Sequence, residues 1–528
     1  MPYILLFAVF VVATCGLIYE LICSTAASYL LGDSVTQFST VIGVYLFSMG
    51  IGSFLSKYIS RNLIAVFIQV EILIGFIGGC SASILFLSFE YVESFRIILY
   101  SIVSLTGILV GLEIPLLMRI LKDNFEFSDL VSKVFTFDYA GALIASILFP
   151  LFLVPHLGLI RSAFMFGILN ISVAIWTLYL FKKNLSTFNY LNMFSILGLI
   201  GLVFGFVYSE NLMSFAEASN YPDKVIYSKS TKYQRITLTS SGEDLRLFLN
   251  GNLQFSSRDE YRYHEALVHI GLASIHKPKD VLILGGGDGL AVREILKYPS
   301  IKSITLVDLD SSMTQLFKSH PILKKLNNNS LNSAKVKLIS ADAFIWLRNI
   351  QNKKETPTNS NLPTLNSRRG GSKERIDEYS QFDFIVVDFP DPSNFSLGKL
   401  YTNAFYNLLK KSLKPNGVIV VQSTSPYYAK KSYWCVVNTL ASVGLMTTPY
   451  HAYIPSFGDW GYVLATHESF QPAIQYPTGL RFVNAETVNN MLSFPDDMKV
   501  KSKCINKLNN QILVHLFEEE WAGYVQAH

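Results

Sequence analysis

This chain has little excess charge of either sign. Its 44 Lys and Arg against 39 Asp and Glu leave a net +5 over 528 residues. No basic stripe interleaved with aromatics occurs, so nucleic acid is not an expected partner. Cysteine is scarce too. Cys15, Cys23 and Cys80 lie in the N-terminal part, and Cys435 and Cys504 stand far from them and from each other. That set shows neither a metal-ligand spacing nor a disulfide framework, so no metal and no disulfide are expected. A basic leader is also missing before the first apolar run, which argues against a cleaved signal peptide.

What the chain has in excess is apolar residue. Mean hydropathy is +0.33, and the excess sits in residues 1–210. Apolar runs cover residues 3–31, 38–55, 63–89, 97–118, 140–154, 163–181 and 191–208. Most reach the ~20 residues that cross a bilayer, so the lipid bilayer is an expected partner. About seven transmembrane helices are predicted. Gly43, Ser48, Gly50, Gly52 and Ser53 suit close helix packing in lipid. Glu20, Glu71, Glu113 and Asp138 fall within or beside the runs. Acids there are either functional or paired near an interface with Arg61, Arg96, Arg119 or Lys133. Basic residues mark alternate loops: Lys57 and Arg61, then Arg119, Lys122 and Lys133, then Lys182 and Lys183. Basic loops face the cytoplasm. An odd number of crossings would then leave the C-terminal half outside.

The pattern changes near residue 211. Short alternating segments at 225–227, 234–239, 245–249 and 252–255 are separated by Ser-Gly (241–242) and Asn-Gly (250–251), which predicts a small antiparallel β domain over 211–260. Strands at 281–284, 304–307, 336–339, 383–387 and 417–421 then alternate with helices at 288–297, 311–319, 343–349, 401–412 and 430–441. That is a Rossmann-like, doubly wound α/β domain over 261–528. Residues 350–380 are rich in Asn, Ser, Thr and Pro and read as a polar surface insertion.

Residues 281–310 carry the most information. Strand Val281 to Leu284 ends in three glycines and Asp288, and the next strand ends in Asp308, 20 residues on. Glycines let the backbone approach a ligand. The distal acid is placed to accept hydrogen bonds from ribose hydroxyls. A pyrophosphate would not favour a carboxylate at Asp288, whereas a cation would. The competing reading is a simple helix cap. Asp342, Asp388 and Asp391 also fall at strand ends, where ligands bind in open α/β sheets. Five acids around one crevice suit a cationic substrate.

These residues bring the C-terminal half to a known family. It resembles the spermidine synthases, the polyamine aminopropyltransferases, over roughly residues 224–466. The stretches are YQRITL (233–238), LNGNLQFSSRDEYRYHEALVH (249–269), GGGDGLAVREILKYPSIKSITLVDLD (285–310), Asp342-Ala343 and DFPDP (388–392). The whole chain is similar to the branch that fuses such a domain to a multi-span N-terminal domain. The resemblance implies an enzyme that moves an aminopropyl group from S-adenosylmethioninamine to a diamine such as putrescine. Spermidine and methylthioadenosine would result, with no cofactor or metal. It implies that Gln234 contacts the donor nucleoside and that His264 lies at the polyamine end with Tyr263 flanking it. Asp288 would hold an ammonium, Asp308 the ribose, and Asp342 and Ala343 the adenine. Asp388 would accept the proton, and Asp391 would anchor an amine. Soluble relatives are often oligomeric, so a homo-oligomer is part of the expectation.

Three departures bear on the acceptor amine: SNFSLGKLY at 393–401 with Phe395 in place of a proline, Asn250 in place of an aspartate, and IPSFGDWG at 454–461. Two rivals remain, an S-adenosylmethionine-dependent methyltransferase and a membrane polyamine transporter or sensor whose C-terminal half only binds. Supply of the donor favours a cytoplasmic catalytic half in a multi-pass cell-membrane protein, against the loop charges.

Overall fold

A computed structural model of the chain describes residues 2–31, 34–91, 94–122, 124–209, 221, 223–231, 233–355 and 381–527. It divides into two compact units, residues 1–239 and 240–528. The composition break near residue 211 falls in 210–220, outside the described residues.

The first unit holds helices α1 (Pro2–Leu31), α2 (Ser34–Leu55), α3 (Leu63–Tyr91), α4 (Phe95–Leu121), α5 (Phe127–Leu148), α6 (Val154–Leu180) and α7 (Phe188–Val207). Six stretches are long and apolar enough to cross a membrane, because α5 and α6 join through a π turn, Phe149–Leu153, into one of 54 residues. The runs expected at 140–154 and 163–181 therefore have different bounds. Gly158 leaves helical geometry at φ 72° and ψ 176° and breaks this run. Unbroken, its 54 residues would extend about 80 Å, against a hydrocarbon core of about 30 Å. Among the described residues there are thus six candidate stretches where about seven were expected.

Helices α2 and α4 approach backbone to backbone. A Cβ on Gly52 would meet the Ile108 carbonyl at 2.0 Å, and one on Gly111 would meet the Met49 carbonyl at 2.1 Å. Small residues thus set this contact. Gly43 and Gly50 do not share that role, since each faces open space.

Four strands, β1 (Lys224–Ser230), β2 (Arg235–Ser241), β3 (Asp244–Leu249) and β4 (Asn252–Ser256), form the small antiparallel sheet in chain order. Asn250 and Gly251 turn β3 into β4 with φ of 51° and 82°, as a two-residue hairpin of left-handed positions requires.

The second unit is built on seven strands, β5 (Asp280–Gly285), β6 (Ser303–Asp308), β7 (Val336–Ser340), β8 (Phe382–Asp388), β9 (Leu413–Gln422), β10 (Met446–Ile454) and β11 (Gly458–Thr466), in the order β10-β11-β9-β8-β5-β6-β7. Strands β5 to β9 pair in parallel, and β11 turns antiparallel against β9. The chain runs outward through β6 and β7, then returns to the other side of β5 as β8. The carboxyl ends of β5 and β8 therefore flank a topological switch point. Helices α8 (Glu260–Leu272), α9 (Leu290–Ile295), α10 (Ser311–Ser319), α11 (Pro321–Leu326), α12 (Ala343–Glu355), α13 (Phe395–Gly398), α14 (Asn403–Ser412), α15 (Lys430–Ala441), α16 (Ala485–Met491) and α17 (Ile512–Ala527) complete the unit.

Several expectations change. The polar insertion loses residues 350–355 to α12, and 356–380 lie outside the described residues. Strands β10 and β11 carry little sequence signal. Pro449 interrupts the first, which stands at the sheet edge, where a strand proline is tolerated. Cys435 and Cys504 form a disulfide across 69 residues, with Cα atoms 5.0 Å apart. Their separation in sequence gave no sign of it, because the fold of the C-terminal segment closes the gap.

Candidate active site

The glycine turn after β5 is shaped by the acids beside it. Gly285 pairs in register with Asp388. A Cβ on Gly285 (φ 84°) would lie 2.1 Å from the Asp388 carbonyl oxygen, and one on Gly287 would lie 2.7 Å from Asp308 Oδ2. Any side chain here would displace an acid. The Gly287 amide donates to Asp308 Oδ2 at 3.1 Å and the Asp310 amide to Oδ1 at 2.8 Å. Asp308 is thus fixed at the tip of β6. Burial pushes its carboxyl up to about 6, with the nearby Asp310 and Asp288 adding to the rise.

Asp288 accepts from the Leu290 amide at 2.8 Å, but it stands one residue before the helix N-cap, which is Gly289. It also takes part in the acidic crevice. Burial raises its carboxyl, and the charge of His264 opposes the rise.

Asp388 ends β8. The Tyr263 hydroxyl donates to its Oδ1 at 2.6 Å. Burial and the neighbouring Asp288 push the carboxyl up to about 6, against the opposing pull of His264 and Tyr263. Asp391 follows after the rigid Phe-Pro step. Thr424 Oγ1 donates to its Oδ2 at 3.3 Å and Gln422 Nε2 approaches Oδ1 at 3.4 Å. Burial pushes this carboxyl up to about 7. A desolvated carboxylate near neutral pH is suited to exchanging protons with an amine.

A positive clamp offsets these acids. His264 Nδ1 lies 2.9 Å from Glu260 Oε2. Arg293 binds the same carboxylate with both terminal nitrogens, at 2.8 and 2.9 Å. Burial alone would lower the His264 value, but Glu260 outweighs it and pushes His264 up to about 9. The imidazole is therefore charged at neutral pH. It is better suited to balancing Asp288 and Asp388 than to receiving an ammonium.

The fold brings Tyr263, His264, Asp288 and Asp388 into one electrostatic group, with Asp308 coupled to Asp288. Ala343 begins α12, and Asp342 precedes it. Here Asp342 caps the helix through the Ile345 amide at 3.1 Å and pairs with Lys399 at 2.6 Å. Burial works to raise its carboxyl, but the Lys399 and backbone hydrogen bonds prevail and lower it. Gln234 belongs to the other compact unit, where its carbonyl accepts from the Thr231 amide at 2.8 Å.

Gln422 escaped the sequence reading. It ends β9 and gathers Asp391, the Tyr401 hydroxyl at 3.0 Å, the Phe389 carbonyl, and Trp460 Nε1, which donates to its Oε1 at 3.1 Å. Its position at the carboxyl end of the strand beside β8 was the available signal. Thr424 follows it at φ 53°, a strained conformation for a β-branched residue. Such strain persists only where its surroundings over-determine it.

Comparison with known proteins fits this geometry. Residues 260–475 match the spermine/spermidine synthase domain. The chain is similar to a polyamine aminopropyltransferase of Leptospira interrogans, with 50% identity over 97% of this chain and 98% of that one. A polyamine aminopropyltransferase of Ralstonia nicotianae is 47% identical over 99% of both chains. Among solved structures, a spermidine synthase in complex with the transition-state analogue AdoDATO is 24% identical, covers 52% of this chain and 86% of its own, and gives a TM-score of 0.44. At these identities over nearly the full length, the chain belongs to the polyamine aminopropyltransferases and is an enzyme that transfers an aminopropyl group in polyamine synthesis.

Proposed function

We propose that the enzyme transfers the aminopropyl group of S-adenosylmethioninamine to putrescine, giving spermidine and methylthioadenosine. The observation that carries this reading is the set of half-buried acids Asp288, Asp388 and Asp391 at the sheet's switch point. They provide counter-charges for more than one ammonium. A monoamine acceptor would leave one of these partly desolvated acids without a counter-charge, which is costly.

In this reading Asp308 holds the ribose, and Asp342 and Ala343 border the adenine. Asp342 would exchange or share its Lys399 contact on donor binding. Asp391, set by Thr424 and Gln422, anchors one amine end. Asp388, oriented by Tyr263, takes a proton from the attacking amine. The nitrogen lone pair forms the new C–N bond as the C–S bond breaks, and those electrons return to sulfur. The sulfonium becomes a neutral thioether, so the leaving group is already activated by its own charge. Binding both partners at one crevice supplies the rest of the acceleration through orientation.

Product analysis of the purified full-length chain with the decarboxylated donor and a panel of amines tests this. Putrescine should turn over and simple monoamines should not. Comparable turnover of butylamine would refute the diamine assignment. Methyl transfer from S-adenosylmethionine would support the methyltransferase instead.

We also infer that the apolar helices cross a cell membrane. Donor supply favours a cytoplasmic catalytic half, while the basic loops and the Cys435–Cys504 disulfide weigh for the opposite face. A reporter fused after residue 528 and assayed in intact cells decides between them.

A further inference from the structure

Residues 454–461 end β10, turn and begin β11. Gly458, at φ 81°, lets the chain reverse there. Two aromatic residues follow from this turn, Phe457 and Trp460, with ring centroids 5.3 Å apart. Both are half-buried.

The backbone on either side of Trp460 is fixed from outside. Ser425 Oγ donates to the Asp459 carbonyl at 2.6 Å, and the Asp459 carboxylate lies 2.7 Å from His451 Nδ1 on β10. The Gly461 amide donates to the Thr424 carbonyl at 2.7 Å, and the Ser423 amide to the Gly461 carbonyl at 2.9 Å. The indole is therefore placed before its own side-chain bond is counted.

That bond runs to Gln422, which is 2% exposed. Trp460 Nε1 donates to its Oε1 at 3.1 Å. An indole N–H can only donate, and a carbonyl can only accept. With Trp460 at one end of the amide and the Phe389 carbonyl at the other, one orientation satisfies both: Oε1 to the indole and Nε2 to Phe389. Nε2 also reaches the Tyr401 hydroxyl at 3.0 Å and Asp391 Oδ1 at 3.4 Å. Gln422 is thus a crossbar between β11 and the turn 389–391. Without the indole, Oε1 would keep the Thr424 amide alone, at 3.4 Å. A buried acceptor short of a donor is costly. Thr424 is the other donor to Asp391, through Oγ1 at 3.3 Å, from a backbone strained at φ 53°. Strain of this kind is typical of ligand clamps.

We propose that Trp460 is a positioning residue for the acceptor amine: through the Gln422 amide it sets the Asp391 carboxylate that receives the ammonium. Phe457 extends the same brace toward the other carboxylate, since its ring lies 6.4 Å from that of Tyr263, whose hydroxyl donates to Asp388. One turn thus supports both acids, the amine anchor and the proton acceptor. This role rests on the assignment of Asp391 as the amine anchor.

Steady-state kinetics of the full-length chain with putrescine at saturating donor test it. Trp460→Phe keeps an aromatic ring beside Phe457 and removes the N–H donor. KM for putrescine should rise about fivefold to tenfold and kcat change by less than about twofold, as loss of one hydrogen bond that serves binding implies. Gln422→Met removes the crossbar, and in that background Trp460→Phe should raise KM no further. Additive effects would mean that the indole acts by packing alone. Trp460→Leu takes its place in the same cycle where Trp460→Phe fails to fold. An unchanged KM in the Trp460 variant, a fall in kcat as large as the rise in KM, or additivity with Gln422→Met would each overturn the role. Asp391→Asn separates this outcome from failure of the anchor assignment. If it leaves KM for putrescine unchanged, the anchor assignment falls and the role of Trp460 with it. If it raises KM while the Trp460 variant does not, the positioning role alone falls.

Discussion

The Tyr263 hydroxyl donates a 2.6 Å hydrogen bond to Asp388 Oδ1. This bond and the charge of Asp288 act on the same carboxyl in opposite directions. Asp388 stands near 6, raised by burial and by Asp288, and lowered by His264 and Tyr263. It must be ionised to accept a proton, so activity should fall as pH drops through about 6. Tyr263→Phe removes a lowering influence, and the acidic limb should move to higher pH. Asp288→Asn removes a raising one, and the limb should move lower. The pH dependence of kcat/KM reads both, since it reports the free enzyme. Shifts of the same sign in the two variants would remove Asp388 as the titrating group.

Glu260 joins Arg293 and His264 into one buried ion cluster. Glu260→Gln would leave His264 without its counter-charge and Arg293 with Glu294 alone, 2.8 Å from its Nε. Breaking one partner of a buried pair typically costs about 3–5 kcal/mol. A large fall in midpoint is therefore expected in thermal unfolding of the full chain. His264 would also lose what holds it charged, and its lowering effect on Asp388 would fade. In surviving folded protein the acidic limb should then rise. A stable variant with an unmoved limb would show the cluster to be ordinary surface pairing.

Asp308 accepts from two backbone amides and is pressed against Gly287. Asp308→Ala removes a charge-assisted acceptor for ribose hydroxyls, worth about 1.5–3 kcal/mol. Donor affinity should fall by about tenfold or more, as titration calorimetry with methylthioadenosine would show. An unchanged dissociation constant would place the ribose elsewhere.

The parallel strands and their terminal acids were legible because buried strands are continuous apolar runs, and Asp308 and Asp388 each end one. The site's balancing charges were not. His264 sat in a resemblance as a polyamine contact, yet its state is set by Glu260, four residues back on the same helix, and by Arg293 from a different helix. Only the fold brings the latter in. Gln422 likewise ends an apolar strand and looks unremarkable until β9 lies beside β8. The disulfide was hidden for the same reason, since Cys435 and Cys504 meet through tertiary packing. Among the apolar helices, sequence gave the positions but not the join, because α5 runs into α6 without a polar break and only Gly158 interrupts the helix.

The strongest single test concerns Asp388 itself. Asp388→Asn keeps the size of the side chain and can still accept the Tyr263 hydrogen bond through its carbonyl oxygen. It cannot take up a proton from an amine. Positioned base catalysis contributes about 10²–10⁴-fold, and that is the loss expected in kcat. Donor binding should be nearly intact, because the ribose contact is assigned to Asp308. Asp391→Asn should differ. Its carboxyl faces Thr424 and Gln422 and is assigned to charge pairing, so KM for the amine should rise more than kcat falls. If Asp388 served only to fix the glycine turn through Gly285 and Gly286, the variant would lose stability and keep its rate per folded molecule. Single-turnover rates on ligand-competent protein separate these outcomes. A rate within about threefold of the parent, far short of the loss base catalysis implies, would remove Asp388 from the chemistry.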